Sequence, residues 1–111
     1  MSKHPQSLFG LRLRAARERA NLPQDRLGVL IGLDESCSSA RVSRYETGVH
    51  QPPFEVAEKL AEVLCVPTAY FYCADDQMAE VLLGLADFTE VELKSIQNSI
   101  RRIQKKRGGV G

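Results

Sequence analysis

Apolar residues recur at helical spacing along most of the chain, and this periodicity limits the fold more than any other feature. No stretch alternates valine, isoleucine or threonine with polar residues, and no hairpin dipeptide joins two such stretches. Glycine and proline separate the helical patterns instead, for example at Gly32, Pro53 and Pro67. The sequence therefore predicts an all-α fold.

The first two-thirds of the chain divide into five predicted helices. Pro23 opens the second, Gly32 ends it, Ser38 is predicted to cap the third, and Gly48 ends the third. Their apolar positions, in chain order, are Leu8, Leu11, Ala15 and Ala16; Leu27, Leu30 and Ile31; Val42 and Tyr45; Val56, Ala57, Leu60, Ala61 and Leu64; and Tyr70, Phe71 and Tyr72. Tyr70, Phe71 and Tyr72 are expected to close the core.

Two further helical patterns follow a boundary at Ala74-Asp-Asp. The first carries an apolar stripe of Met78, Val81, Leu82 and Leu85. Thr89 and Glu92 form a capping-box signature at the start of the second. The second places four apolar residues at alternating spacings of three and four, which we call the seam: Leu93, Ile96, Ile100 and Ile103.

We therefore divide the chain into a domain at 8–74, a helical extension at 75–107 and a disordered tail at 108–111. Two short helices do not bury both of their stripes against each other, so the seam predicts a homodimer. The alternative is that this hairpin covers Tyr70 and Phe71 of its own chain.

The cations are unevenly distributed, although the net charge of the 111 residues is only +1. Residues 1–20 hold one acid, Glu18, against Lys3, Arg12, Arg14, Arg17 and Arg19. Residues 101–107 hold five cations and no acid. Such polarity is typical of a protein that meets phosphates on one face, although a charge run is more often a solvated helix face.

Other function classes find little support. No apolar run is long enough to cross a membrane and the first residues lack a secretory signal, so we expect a soluble, cytoplasmic protein. Cys37, Cys65 and Cys73 lack CxxC spacing, which indicates reduced thiols. His4 and His50 have no other ligand at metal-binding spacing. With no nucleophile–base pair or phosphate-binding glycine loop, we expect neither metal, cofactor nor enzymatic activity.

The second and third helices have the composition of a helix-turn-helix. Such a pair needs a small residue where the helices cross, here Gly28, and a second helix with one apolar and one polar face. If Val42 and Tyr45 point inward, the helical pitch of the third helix defines an outward face: Ala40, Ser43, Arg44 and Thr47, flanked by Ser39 and Arg41. Its short side chains and two guanidiniums suit contact with base edges.

Two segments then resemble the Cro/lambda-repressor-like (Xre-type) regulators. They are Leu11-Arg-Leu-Arg-Ala-Ala-Arg through Leu22-Pro-Gln-Asp-Arg-Leu-Gly, and Arg41-Val-Ser-Arg-Tyr-Glu-Thr-Gly with a following proline and a helix ending Leu-Ala-Glu-Val-Leu-Cys-Val-Pro. The resemblance covers residues 8–72. It implies a five-helix domain that binds double-stranded DNA at a palindromic operator as a homodimer, most simply as a repressor. A second possibility is a protein-interaction module, in which the same helices serve an antitoxin or adaptor and bind a partner protein.

The resemblance also implies roles for individual residues. Gln24 matches a glutamine that touches a backbone phosphate, and His50 lies in the segment Gly48–Gln51, which matches a loop over the other strand's backbone. Arg17 and Glu46 match a buried ion pair. The positions at or near the base edges are Ser39, Ala40, Ser43 and Arg44. Arg44 is the better candidate for a guanine contact and Arg41 for a phosphate, although the two are exchangeable.

Two features depart from the family's pattern. Pro23 stands where a serine or threonine cap is usual, so we expect Asn21 to satisfy the start of the second helix. The turn between Gly32 and Tyr45 is longer than usual and contains Asp34 and Glu35. Since phosphates repel both acids, we expect the segment 33–38 to loop away from DNA.

Overall fold

The computed structural model describes residues 7–108 and shows six α-helices and one 3-10 helix there. The elements are α1 (Leu8–Arg19), α2 (Gln24–Leu30), α3 (Ser38–Thr47), α4 (Phe54–Leu64), the 3-10 helix (Thr68–Tyr72), α5 (Asp76–Gly84) and α6 (Glu90–Lys106). No strand occurs in these residues, so the all-α prediction is confirmed. The predicted tail lies outside the described residues except for Gly108.

The core lies between α1, α2, α3, α4 and the 3-10 helix. The α2 and α3 helices pack against each other, while α1 contacts both α3 and the 3-10 helix. The ring of Phe71, which is fully buried, lies 4.9 Å from the ring of Phe9 on α1. Tyr70 is buried too, whereas Tyr72 stays 45% exposed.

The buried face of α1 differs from the predicted one. Leu11 and Ala15 are exposed and Phe9 and Leu13 are buried in their place, while Ala16 is buried as predicted. Both sets of residues follow a helical period, so the period alone does not select between them. The selection is made by Phe71, since its ring packs against Phe9.

Two glycines let helices approach closely. A Cβ added to Gly10 on α1 would overlap the backbone carbonyl of Glu46 on α3. A Cβ added to Gly28 on α2 would overlap the side chain of Ser38 at the start of α3. The expected crossing point at Gly28 is therefore matched by a second contact at Gly10, which holds α1 against α3.

Ser38 does not cap α3, contrary to expectation. It lies within the first turn, is 1% exposed, and its hydroxyl donates to the carbonyl of Asp25 on α2. The N-cap residue is Cys37, whose side chain makes no capping bond. Because Gly28 has no side chain, the start of α3 lies against α2 and the hydroxyl finds its partner there.

Asn21 does not cap α2 either. It adopts a left-handed conformation with φ of 58°, as asparagine often does just after a helix end, and it follows α1. Pro23 is the N-cap residue of α2 and makes no side-chain bond. The turn between α1 and α2 is held instead by Arg17, whose Nη1 donates to the carbonyl of Leu22 at 2.9 Å.

Arg12 is a buried cation that ties α1 to the segment leading into α5. Its side chain is 8% exposed, and Nε donates to the carbonyl of Cys73 at 2.9 Å. Nη2 donates to the carbonyl of Ala74 at 3.3 Å and to Oδ1 of Asp76 at 2.9 Å. The guanidinium lies 5.7 Å from the centre of the Tyr70 ring. Burial raises the pKa of Tyr70, and the positive charge of Arg12 opposes that shift.

The last two helices extend away from this core. Ala79 of α5 is buried against it, but α6 contains no buried residue. The radius of gyration is 16.5 Å, whereas a compact domain of this length would have about 13 Å. Thr89 and Glu92 form the predicted capping box at the start of α6. Within residues 7–108, no helix is both long and apolar enough to span a bilayer.

Candidate nucleic-acid interface

The polar face of α3 is open to solvent. Ser39, Ala40, Arg41 and Arg44 are exposed, and Ser43 is half-buried. On the opposite side, Val42 is fully buried and Tyr45 is 5% exposed. The structure therefore brings five of the six residues predicted for the outward face to one accessible side of a short helix.

Thr47 is the exception, because it is 9% exposed instead of facing outward. It is the last residue of α3, and its hydroxyl donates back to the carbonyl of Arg44 at 3.4 Å. Threonine commonly makes this bond within a helix, which keeps the hydroxyl close to the helix backbone. The accessible face of α3 thus ends at Arg44.

A network of buried polar side chains supports this face from behind. Arg17 of α1 binds Glu46 of α3 through two bonds, Nε to Oε2 at 2.6 Å and Nη2 to Oε1 at 3.2 Å. Their side chains are only 13% and 5% exposed. The residues that the resemblance pairs therefore lie together, and the bidentate geometry fixes α1 against the end of α3.

Gln24 extends this network to α2. Its Nε2 donates to Oε1 of Glu46 at 3.1 Å, and its Oε1 accepts a long bond of 3.5 Å from the hydroxyl of Ser39. Sequence reasoning assigned Gln24 to a phosphate and did not anticipate these internal partners. The half-buried amide links the start of α2 to the exposed face of α3.

The loop after α3 begins at a left-handed glycine. Gly48 has φ of 81°, a conformation that residues with a Cβ adopt at a cost, and it ends α3. The backbone N–H of His50 donates to the carbonyl of Arg44 at 3.2 Å, and the His50 side chain is exposed. The loop is therefore attached to the end of the polar face.

The long turn before α3 is organised by Asp34. Its Oδ1 accepts from the backbone N–H of Ser36 at 2.9 Å and from the Ser36 hydroxyl at 2.6 Å. Both bonds lower the pKa of Asp34 below its usual value, and the bond from the Ser36 hydroxyl has the larger effect. Asp34, Glu35 and Ser36 are all exposed, so the turn presents an ionised carboxylate to solvent at neutral pH.

The cations near the start of the chain do not form a basic face, which corrects the expectation from their clustering. Arg12 and Arg17 point into the protein, and Arg14 lies 3.5 Å from the carboxylate of Glu18. Lys3 falls outside the described residues. The sequence spacing could have indicated that Arg12 points inward, because a residue three positions after Phe9 lies on the same face of the helix.

Within the described part of the chain, no group of histidine, cysteine and acidic residues is arranged to hold a metal ion. The accessible polar groups around α3 form the candidate nucleic-acid site. It combines short hydroxyls, two arginines and the loop that follows the helix.

Comparisons with known proteins agree with this geometry. Residues 8–70, more than half of the chain, match a family model described as a helix-turn-helix domain. Among solved structures, the crystal structure of the transcriptional regulator BswR is similar, with 41% sequence identity and a TM-score of 0.82. A comparison with curated proteins gives no match.

The similarity to BswR covers 89% of this chain and 98% of that chain, so it continues past residue 70 into α5 and α6. The family model includes α2, the turn and α3, which the sequence predicted as a helix-turn-helix. The chain therefore belongs to the helix-turn-helix domain family of DNA-binding transcriptional regulators.

Proposed function

We propose that this protein is a repressor that binds a palindromic operator as a homodimer and occludes a promoter. The observation that carries the proposal is the exposed polar face of α3, supported by the buried Val42 and Tyr45. An α-helix of this width fits the major groove, where each base pair presents a distinct set of donors and acceptors.

The residues of this face differ in chemistry, so we assign them different contacts with the bases. Arg44 is proposed to donate to a guanine, because a guanidinium matches the two major-groove acceptors of that base. Ser39 and Ser43 supply short hydroxyls and Ala40 a methyl group, which approach base edges without steric block. Thr47 is left out of this set because it is buried.

Phosphate contacts are proposed for the residues around the face. Arg41 lies on the flank of the α3 face. Hydrogen bonds to Glu46 and Ser39 hold the side chain of Gln24 against α3, beside that face. The Gly48–Gln51 loop with His50 would contact the opposite strand. The turn at 33–38 is proposed to point away from DNA, since the carboxylate of Asp34 stays ionised and phosphates repel it.

Replacing Arg44 by alanine tests the reading of the operator. Sequences bound by the full chain are first selected from a random DNA pool, and the affinity of each variant for them is then measured at fixed salt. If Arg44 reads a guanine, R44A should lose about 1–3 kcal/mol of binding and relax the preference at one position per half-site.

Arg19 provides the matched control, because it is an exposed arginine on α1 outside the α3 face. R19A removes the same charge and should leave the selected sequence unchanged. A uniform loss across sequences for R44A would assign Arg44 to a phosphate. Unchanged binding to every sequence would refute the proposed recognition face.

The homodimer is proposed because one short helix contacts too few base pairs to be selective. Family members pair two domains about a two-fold axis, with half-sites about one helical turn apart. The seam of α6 provides an apolar surface for this pairing, since Leu93, Ile100 and Ile103 are 41–59% exposed and Ile96 is half-buried. Within its own chain, α5 packs on the core through Ala79, Leu82 and Leu83, whereas α6 has no buried residue.

Replacing Ile100 by glutamine in the full chain tests this dimer by sedimentation. Ile100 lies in the seam, so I100Q should raise the dimer dissociation constant about tenfold or more, as expected for an apolar contact worth roughly 1.5 kcal/mol. V91Q is the control, because Val91 is 78% exposed and lies outside the seam. Equal effects of the two substitutions, or a monomeric wild type at tens of micromolar, would contradict the assignment.

A further inference from the structure

Apart from Lys94, the charged side chains of α6 and of its C-cap residue lie at its two ends. Glu90 and Glu92 lie in the first turn, and the cations gather in the last part of the helix and at its end: Arg101, Arg102, Lys105, Lys106 and Arg107. All seven side chains are exposed. The seam runs between these ends, so α6 presents an apolar stripe with acidic residues at its N-terminal end and basic residues at its C-terminal end.

Two copies of such a helix interact differently in the two possible orientations. A parallel pair brings the cations of both copies to the same end, where they repel each other. An antiparallel pair places each basic end beside an acidic start, and it also opposes the two helix macrodipoles favourably. We infer that α6 pairs antiparallel with α6 of a second copy of this chain, an inference that rests on the proposed homodimer.

The spacing of the seam sets the register of this pair. The two-fold axis passes near residue 98, so that Leu93 packs against the partner's Ile103 and Ile96 against the partner's Ile100. Each of the four seam residues then has an apolar partner. In a parallel pair the seven-residue repeat instead continues from Ile100 to Arg107, which would place two arginines together at its end.

The opposite charges of the two copies meet along one flank of the seam. Glu92, Ser99 and Lys106 are seven residues apart and therefore line the same side of the helix. In the antiparallel register Glu92 faces the partner's Lys106, and the small Ser99 faces the partner's Ser99 near the axis. The pair forms twice by symmetry.

The described side chains fit this arrangement. Ser99, Arg102, Ile103 and Lys106 line a shallow groove on α6, so two of its four lining residues are cations. Glu92 accepts from the Thr89 N–H at 2.9 Å through Oε1 alone, so its second oxygen is available to a cation. A carboxylate from the partner thus meets a basic, partly apolar groove.

Charge reversal followed by mixing tests the orientation. Glu92→Lys and Lys106→Glu are made separately in the full chain, and dimerisation is measured by sedimentation at low salt. Each variant alone creates two like-charge pairs, so its dimer dissociation constant should rise about tenfold. In an equimolar mixture, the mixed dimer again has opposite charges at both pairs, and dimerisation should return to within about threefold of the wild type.

Two controls separate this effect from damage to the helix. Lys105→Glu reverses a neighbouring cation that points away from the seam and should change the dissociation constant by less than about threefold. Glu92→Gln retains a side chain that can close the capping box and removes only the charge. Circular dichroism checks that each variant keeps its helical content.

The outcomes distinguish this inference from the proposed function. A mixture that stays as dissociated as its two components would overturn the antiparallel pairing while leaving the homodimer intact. A wild-type chain that is monomeric would overturn both the homodimer and the pairing. Loss of operator binding in R44A reports on the α3 face alone, so it does not depend on either result.

Discussion

Replacing Glu46 by alanine should destabilise the protein by about 3–5 kcal/mol, because the change leaves the buried charge of Arg17 without its partner. The Arg17 side chain is 13% exposed and would keep only its bond to the Leu22 carbonyl. The Nε2 group of Gln24 would lose its bond to Glu46 as well. Unfolding by urea, followed by circular dichroism, measures the loss as a shift of the midpoint.

The control for this prediction lies on α1, the helix that carries Arg17. Glu18 pairs with Arg14 at 3.5 Å, but its side chain is 60% exposed. Because water screens such a pair, E18A should cost less than about 1 kcal/mol. Similar losses for the two glutamates would show that burial of the Arg17–Glu46 pair does not control its contribution.

A double replacement tests whether the two side chains act together. Apolar substitution of both, as in Arg17→Met with Glu46→Leu, removes the charges without leaving either one unpaired. The loss should be smaller than the sum of the two single losses. Strictly additive losses would mean that Arg17 and Glu46 do not interact in solution.

Replacing Gly10 by alanine should cost about 3 kcal/mol, near the upper end of the range for overpacked sites. The new methyl group would overlap the carbonyl oxygen and carbon of Glu46, and backbone atoms cannot rotate away as a side chain can. Helices α1 and α3 would have to separate. The same urea unfolding experiment measures the change in stability.

Gly84 is the matched glycine, since a Cβ added there has open space within 4 Å. It ends α5, and G84A should leave stability unchanged or raise it by up to about 1 kcal/mol, because alanine favours helix more than glycine does. If G10A were as well tolerated as G84A, the close approach of α1 and α3 would not exist in solution.

The elements of the fold were predictable because each is specified by residues close together in the chain. Glycine and proline set the limits of α2 and α4, and Thr89 with Glu92 specified the start of α6. The exposed face of α3 followed from Val42 and Tyr45 by helical pitch alone. These predictions needed no knowledge of which helices touch.

The errors at α3 arose where the folded chain offers a hydrogen-bond partner that helical pitch and capping preference do not take into account. Thr47 was placed on the outward face by pitch, but the end of α3 lets its hydroxyl bond back to Arg44. Ser38 was predicted as a cap and instead bonds to Asp25, because Gly28 brings α2 close. Local pattern describes which residues are able to cap or face outward, and packing selects among them.

The sequence by itself thus determined the helical fold, the helix-turn-helix and the polar face of α3, since helical periodicity and turn residues act over a few positions. Only the tertiary structure decided which face of α1 is buried and what Arg12 binds. Phe9 and Arg12 find their partners in Phe71 and Cys73, about sixty residues further along the chain. A local apolar pattern contains no information about which distant segment will pack against it, so those contacts required the folded chain.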